Sequence, residues 1–132
     1  MGCISKYLGD AILNEAFRGV NYTPPTTVYL ALYTSNPGDE NTGSEVSGGS
    51  YARQAVAFDA ITNVAGKSTT MNTLDLVFPV ATVSWGTIAY VGVLDALTGG
   101  NLLYYGALAA SKLIGIGDQF KVVSGNLVLD LD

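Results

Sequence analysis

Apolar residues recur at helical spacing near the start of the chain, at Ile4, Tyr7, Leu8, Ala11, Ile12 and Ala16. That spacing places them on one stripe of an α-helix. Ser5 precedes the stripe as a candidate N-cap, and Gly19 follows Arg18 where a left-handed cap position favours glycine. The pattern predicts one amphipathic helix over residues 5–18, with Lys6, Asp10, Asn14 and Arg18 on its polar face.

After Thr23-Pro24-Pro25 the period changes from helical to two. Between Thr26 and Thr34, Val28, Leu30 and Leu32 fall on one face and Tyr29, Ala31 and Tyr33 on the other, the signature of a half-buried strand. Residues 35–50 (SNPGDENTGSEVSGGS) have no periodicity and read as a long polar loop, either functional or mobile. Strand character returns over Tyr51–Phe58, with a short extension at Ile61–Ala65. It returns again over Thr69–Phe78, where Leu74, Leu76 and Phe78 are expected on one inward face. Val80–Trp85 and Thr87–Leu94 read as two strands, or as one bent at Gly86. Asp95–Asn101 is a tight turn with Gly99 and Gly100 available for positive φ, and Leu102–Leu108 follows as a strand. Gln119–Val123 and Leu127–Leu131, joined by Ser124-Gly125-Asn126, are expected to form a closing hairpin with Leu127, Leu129 and Leu131 inward.

About seven or eight short strands separated by turns predict a mainly β fold, an antiparallel β-sandwich or partial barrel carrying one N-terminal helix. No linker, fixed-period repeat or heptad divides the chain, so residues 1–132 are expected to form one domain, with its β portion over residues 26–131.

Composition adds a second constraint. Charged residues make up 13% of the chain and apolar residues 48%, with a mean hydropathy of +0.33. A single domain of this size buries only part of such apolar content, which points to a subunit interface and a homo-oligomer, dimer or trimer. The net charge is −5, and Lys6, Arg18, Arg53, Lys67, Lys112 and Lys121 are scattered singly, which argues against a nucleic-acid partner. No apolar run approaches the ~20 residues of a membrane span, and the periodic N-terminus does not resemble a signal peptide. The one cysteine, Cys3, has no partner for a disulfide within the chain.

Candidate chemistry is sparse. Histidine is absent, which removes the commonest general base and metal ligand and rules out Ser-His-Asp and Cys-His arrangements within one chain. The carboxylates of Asp10, Glu15, Asp95, Asp130 and Asp132 fall at positions that a helix surface, a turn or an outward strand face already explains, so no catalytic residue is assigned. Asp39, Asn41, Gly43 and Glu45 place oxygen donors at alternate positions as in a calcium loop. Ser44 and Ser50 stand where such a loop needs glycine and glutamate, so no metal or cofactor is expected. Met1-Gly2-Cys3 resembles an acylation signal, but Lys6 occupies its Ser/Thr position. Trp85 and Tyr residues 29, 33, 51, 90, 104 and 105 would suit a sugar platform, yet aromatics alternating along strands are more often core or interface.

Longer stretches carry a resemblance. The segments YLGDAILNEAFRGVNYTPPTTVYLALYTSNPG, GGSYARQAVAF, LVFPVATVSWGTIAYVGVLDALTGGNLLYYGAL and GNLVLDL resemble a family of small phage proteins labelled tail-fibre proteins. Its most specific pieces are Tyr22–Pro25 with the following strand, Tyr51-Ala52-Arg53, and Trp85-Gly86-Thr87 leading to Leu94-Asp95 and Gly99-Gly100-Asn101. The resemblance implies a tailed-phage virion component without an active site, made in the host cytoplasm and partnered by other phage structural proteins.

Two virion roles follow. A long fibre needs heptads, β-helix repeats or a collagen-like period, and the chain has none. Compact size and low charge favour a capsid cement or decoration subunit, with a tail-associated fibre or adaptor subunit as the alternative and a carbohydrate-binding β-sandwich module as a third reading. The helix and the 35–50 loop are expected to make the outward contacts, since the β-core does not need them to close. Tyr7, Leu8, Ile12, Asp39, Glu40, Glu45, Tyr51 and Arg53 are the expected partner-binding residues.

Overall fold

The computed structural model describes residues 2–131. Its elements in chain order are β1 (Gly2–Ile4), α1 (Lys6–Arg18), β2 (Val28–Tyr33), β3 (Gln54–Val56), β4 (Thr62–Val64) and β5 (Lys67–Met71). They continue with β6 (Leu76–Val77), β7 (Gly86–Leu94), β8 (Leu102–Ile114), β9 (Lys121–Val122) and β10 (Val128–Leu131). One layer is a five-stranded antiparallel sheet in the order β1-β8-β7-β2-β3. The other is made by a three-stranded sheet, β10-β5-β4, and the β6-β9 pair. Among the described residues the fold is a mainly β antiparallel sandwich with one N-terminal helix, as the strand count predicts, and no sheet closes into a barrel.

The core lies between the layers. Leu30, Leu32, Val91 and Val93 of the large sheet meet Leu76, Phe78, Trp85, Phe120 and Leu127 from the opposite side. Phe78 and Phe120 pack edge to face at 5.7 Å, and Tyr51 stacks on Phe78 with its ring 10° from parallel. A smaller cluster of Ala31, Tyr33, Leu94 and Leu102 covers the outer face of the same sheet. Both faces of β2 are therefore buried over Leu30–Tyr33, not one as its alternation predicts.

The cover on that outer face is the 35–50 segment, which is an ordered strap. Thr34 donates its amide to the Ser44 carbonyl, Val46 donates to Leu32, and Pro37 is fully buried. The Tyr33 hydroxyl donates to Asn41 Oδ1 at 2.8 Å, and burial of the ring pushes its pKa up to about 12. The β-core thus does use this segment to close, contrary to the expectation that it does not need it.

Three further expectations are corrected. Val80–Trp85 forms no strand. Ala81, Thr82 and Trp85 donate instead to the carbonyls of Asp118, Gly49 and Ile114, and Gly86 turns the chain into β7 at φ +83°. Leu74 does not share the inward face of Leu76 and Phe78 but is 72% exposed, because the chain leaves the ladder at Asn72. The closing hairpin does not form, since β9 pairs with β6 and β10 with β5.

Asn72 supplies the reason for the last two. Its side chain is 1% exposed, donates to the carbonyls of Leu74 and Val123, and accepts from the Leu127 amide at 2.9 Å. A buried amide with donor and acceptor both satisfied fixes the 123–127 turn against β5 and prevents its flanking strands from pairing together. Leu127 is buried, Leu129 is half-buried, and Leu131 is 46% exposed.

Candidate docking surface

The helix begins and ends where its caps predict. Ser5 Oγ accepts from the Leu8 amide at 3.1 Å, and Gly19, at φ +66°, donates to the Asn14 carbonyl. Along the polar face Lys6 pairs with Asp10 at 3.2 Å and Arg18 donates to Asn14 at 2.7 Å, both at i,i+4 spacing. Hydrogen bonds fasten the start of the element to the sheet. Gly2 donates to the Tyr104 hydroxyl at 3.0 Å, Ser5 to the Leu103 carbonyl and Lys6 to the Asp39 carbonyl. β1 itself is a strand with no periodic signal in the sequence, three residues long and paired to β8.

The eight expected partner-binding residues fall at three separate places. Leu8 and Ile12 are half-buried and line an apolar groove of about 470 Å³ with Ile4, Ile61, Leu103 and Leu129. Tyr7, Asp39 and Glu40 border a polar recess of about 330 Å³ together with Lys6, Asp10 and Asn101. The Asp10 carboxylate hydrogen-bonds Lys6 and, with neighbouring acids, holds its ammonium above the usual lysine range.

Glu45, Tyr51 and Arg53 meet one another. Arg53 Nε and Nη2 donate to the two Glu45 oxygens at 2.8 Å each, and Nη1 donates to the carbonyls of Ala96 and Gly99. The Tyr51 hydroxyl donates to Glu45 at 2.7 Å and accepts from the Leu32 amide. Burial pushes the Glu45 carboxyl up, but hydrogen bonds from Arg53 and Tyr51 outweigh it and leave the group below its ordinary range. Burial, reinforced by Glu45, pushes the Tyr51 hydroxyl well above the usual phenol range. The guanidinium's donors are turned inward, clamping the strap, the approach to β3 and the 95–101 turn together. With Asn41 engaged by Tyr33 and Glu45 by Arg53, two of the alternate oxygen donors of this segment are committed to side-chain partners.

Several of the aromatic residues are interior. Trp85, Tyr33 and Tyr104 are buried, and the Trp85 indole donates to the Gly49 carbonyl. Among the described residues no helix is long and apolar enough to cross a membrane.

Exposed apolar side chains lie on the helix side turned away from the sheet and just beyond its end. Leu13 is 58% exposed, Phe17 79% and Val20 46%. Leu13 and Phe17 stand at i and i+4, a second apolar pair that the first stripe masks in a reading of the sequence, while Val20 follows the left-handed Gly19 cap, where the helix has ended. No residue of α1 is fully buried, so the helix is seated on the sheet by one edge and presents its other apolar edge to solvent.

No curated protein matches the chain. A family model described as podophage GP4 fiber I protein gp80 matches residues 3–130, which covers β1, the helix and both layers of the sandwich. The chain belongs to this family of phage fibre proteins and is a phage structural protein that associates with other components of the virion.

Proposed function

We propose that the protein is a tail-associated fibre or adaptor subunit, non-catalytic and self-associating, that docks through exposed apolar surface. The observation that carries this reading is the family match over residues 3–130, whose description is of a fibre protein. It favours the tail alternative over the capsid cement role that size and low charge suggest. The absence of histidine and the inward commitment of Arg53 and Glu45 support a structural role over a catalytic one. Burial of Trp85, Tyr33 and Tyr104 takes three of the seven aromatic residues considered for a sugar platform out of the surface that a carbohydrate-binding module would use. A chain with no heptad or repeat serves as a short fibre domain or a joint, not as a long shaft.

Association of such a subunit is driven by apolar burial worth about 25 cal/mol per Å², offset by the entropic cost of docking. Repetition about a symmetric tail then turns modest contacts into durable attachment. Quantitative mass spectrometry of purified virions against the major capsid protein tests the location. Copies that match the rotational symmetry of the tail support the proposal. Copies on the order of hundreds, set by the capsid lattice, restore the cement reading, and absence from the particle overturns both.

A further inference from the structure

We propose that residues 35–44 are a flap that opens as one body between two fixed roots, uncovering the outer face of the large sheet and freeing the start of α1 in the same movement. The inference does not depend on where in the particle the subunit sits.

The segment holds itself together. Ser44 donates its amide to Ser35 Oγ at 2.8 Å, Thr42 to the Pro37 carbonyl at 2.7 Å and Gly38 to Asn36 Oδ1 at 2.9 Å. Gly43 lies so close to the other limb of the loop that a Cβ there would stand 2.6 Å from the Asn36 carbonyl oxygen and 2.7 Å from Pro37 Cα. Left-handed backbone at Gly38 and Asn41, with φ of +65° and +57°, turns the chain between the limbs. A loop whose ends meet and whose interior bonds are its own moves as a unit.

Its roots are fixed. Tyr33 and Glu45 face each other across an antiparallel bridge, and Arg53 and Tyr51 grip Glu45. Val46 follows, buried in the inner core. Beyond it the Gly49 carbonyl accepts from the Thr82 amide and the Trp85 indole, and Ser50 Oγ donates to the Val80 carbonyl. The flap therefore turns about Thr34-Ser35 on one side and Ser44-Glu45 on the other.

Between the roots its attachment is thin. Pro37 is its buried residue, and the rest of 35–44 is half-buried or exposed. Hydrogen bonds join it to the remaining fold at three places. Thr34 donates its amide to the Ser44 carbonyl at 2.9 Å, the Tyr33 hydroxyl donates to Asn41 Oδ1 at 2.8 Å, and Lys6 donates its amide to the Asp39 carbonyl at 2.9 Å. On the helix side the flap borders the polar recess, not packed side chains. β2 beneath it is paired on both edges and buried on both faces over Leu30–Tyr33. Few apolar anchors and solvent-exposed hydrogen bonds mark a unit that opens before the rest.

The Lys6–Asp39 bond makes the movement a linkage. Opening takes this main-chain bond from the first residue of α1, while Ser5, one residue earlier, keeps its bond to the Leu103 carbonyl of β8. Reciprocally, whatever fixes Lys6 in place holds the flap closed over Tyr33, Leu94 and Leu102.

The test is amide hydrogen exchange of the full chain under native conditions in which reclosing outpaces exchange. The Lys6 and Thr34 amides should exchange at least tenfold faster than Ser5 and than Val91 and Val93 of the central strand. Two variants separate the flap from the whole fold. Tyr33→Phe removes the hydroxyl bonded to Asn41 and should speed Lys6 and Thr34 by the same factor, about threefold to tenfold, the contribution of one such bond. Phe78→Leu weakens the inner core, which stays packed when the flap opens. It should speed Val91 and Val93 and leave Lys6 and Thr34 unchanged. Lys6 and Thr34 accelerating with Val91 in Phe78→Leu overturns the proposal, because they would then exchange only by global unfolding. Unequal responses of Lys6 and Thr34 to Tyr33→Phe overturn it as independent fraying. Ser5 exchanging as fast as Lys6 overturns it as well, since the opening would then be that of the helix.

Discussion

Arg53 holds Glu45 through two parallel N–H···O bonds of 2.8 Å, and its remaining nitrogen spans two carbonyls of the 95–101 turn. The Arg53 side chain is 8% exposed and that of Glu45 24%, so the pair is shielded from water far more than a surface ion pair. Removing one partner strands the other charge. Arg53→Ala is expected to cost about 3–5 kcal/mol, a fall in melting temperature of roughly 10 °C or more at this chain length. Arg53→Lys should recover little of it, because an ammonium cannot span a carboxylate and two carbonyls at once. Urea unfolding of both variants checks this, and a loss below about 1 kcal/mol for Arg53→Ala would show the clamp to be incidental.

The same cluster sets the pH response. Glu45 has a folded pKa below its ordinary value of 4.5, so its stabilising contribution is present above that value and is lost as pH falls through the folded pKa. Tyr33 and Tyr51 are shifted the other way by burial, Tyr33 from 10.0 to about 12 and Tyr51 likewise upward. Their contribution is complete below pH 10.0, then declines as the unfolded phenols ionise and the folded ones do not. Stability should therefore form a plateau between mild acid and mild alkali and fall on both sides. In a spectrophotometric titration Tyr33 and Tyr51 should ionise only as the fold opens.

What was legible in the sequence was local. The helix could be read because Ser5 and Gly19 act on their own neighbours, and the 95–101 turn because Gly99 and Gly100 take positive φ, at +62° and +75°. What was not legible depends on residues distant in the chain. β1 exists because β8 and the Tyr104 hydroxyl receive it, and nothing in Gly2-Cys3-Ile4 announces a strand. Glu45 and Arg53 look like solvated charges until the fold brings them together. Asn72, one polar residue in a strand-like run, redirects both β5 and the C-terminal turn. At the candidate site, Leu8 and Ile12 were found from the inner stripe. Leu13 and Phe17 do not stand out in the sequence, because a helix reading seeks one apolar face and theirs is the second.

Leu74 and Phe78 make that difference measurable. Both belong to one face of the run predicted as a strand, but Leu74 is 72% exposed and Phe78 0%. Phe78→Ala should cost about 3–5 kcal/mol through the cavity it leaves among Tyr51, Phe120 and the surrounding aliphatic core. Leu74→Ala should stay within about 0.5 kcal/mol of wild type. Equal losses at the two positions would mean that the strand continues through Asn72 after all.

Gly2 decides whether the helix can be removed cleanly. A Cβ on Gly2 would overlap the Tyr105 carbonyl oxygen and stand 2.6 Å from the Tyr104 ring, so any side chain must push β1 off the edge of the sheet. The Tyr104 hydroxyl that accepts from Gly2 also accepts from the Asp130 amide at 3.3 Å, so the same atom links β1 to β10 in the other layer. Gly2→Val is thus expected to cost about 2 kcal/mol by overpacking and by unmaking these bonds. Hydrogen exchange should show lost protection at Ser5 and Lys6, whose amides donate to Leu103 and Asp39, while β2 and β7 stay protected. Deleting residues 1–20 should be more damaging still, because it strips an edge strand from the large sheet as well as the helix. A deletion that left stability unchanged would show that β1 contributes nothing to the sandwich. A loss of several kcal/mol would mean that the docking role of the helix has to be read from substitutions on its outer face, where the sheet is not disturbed.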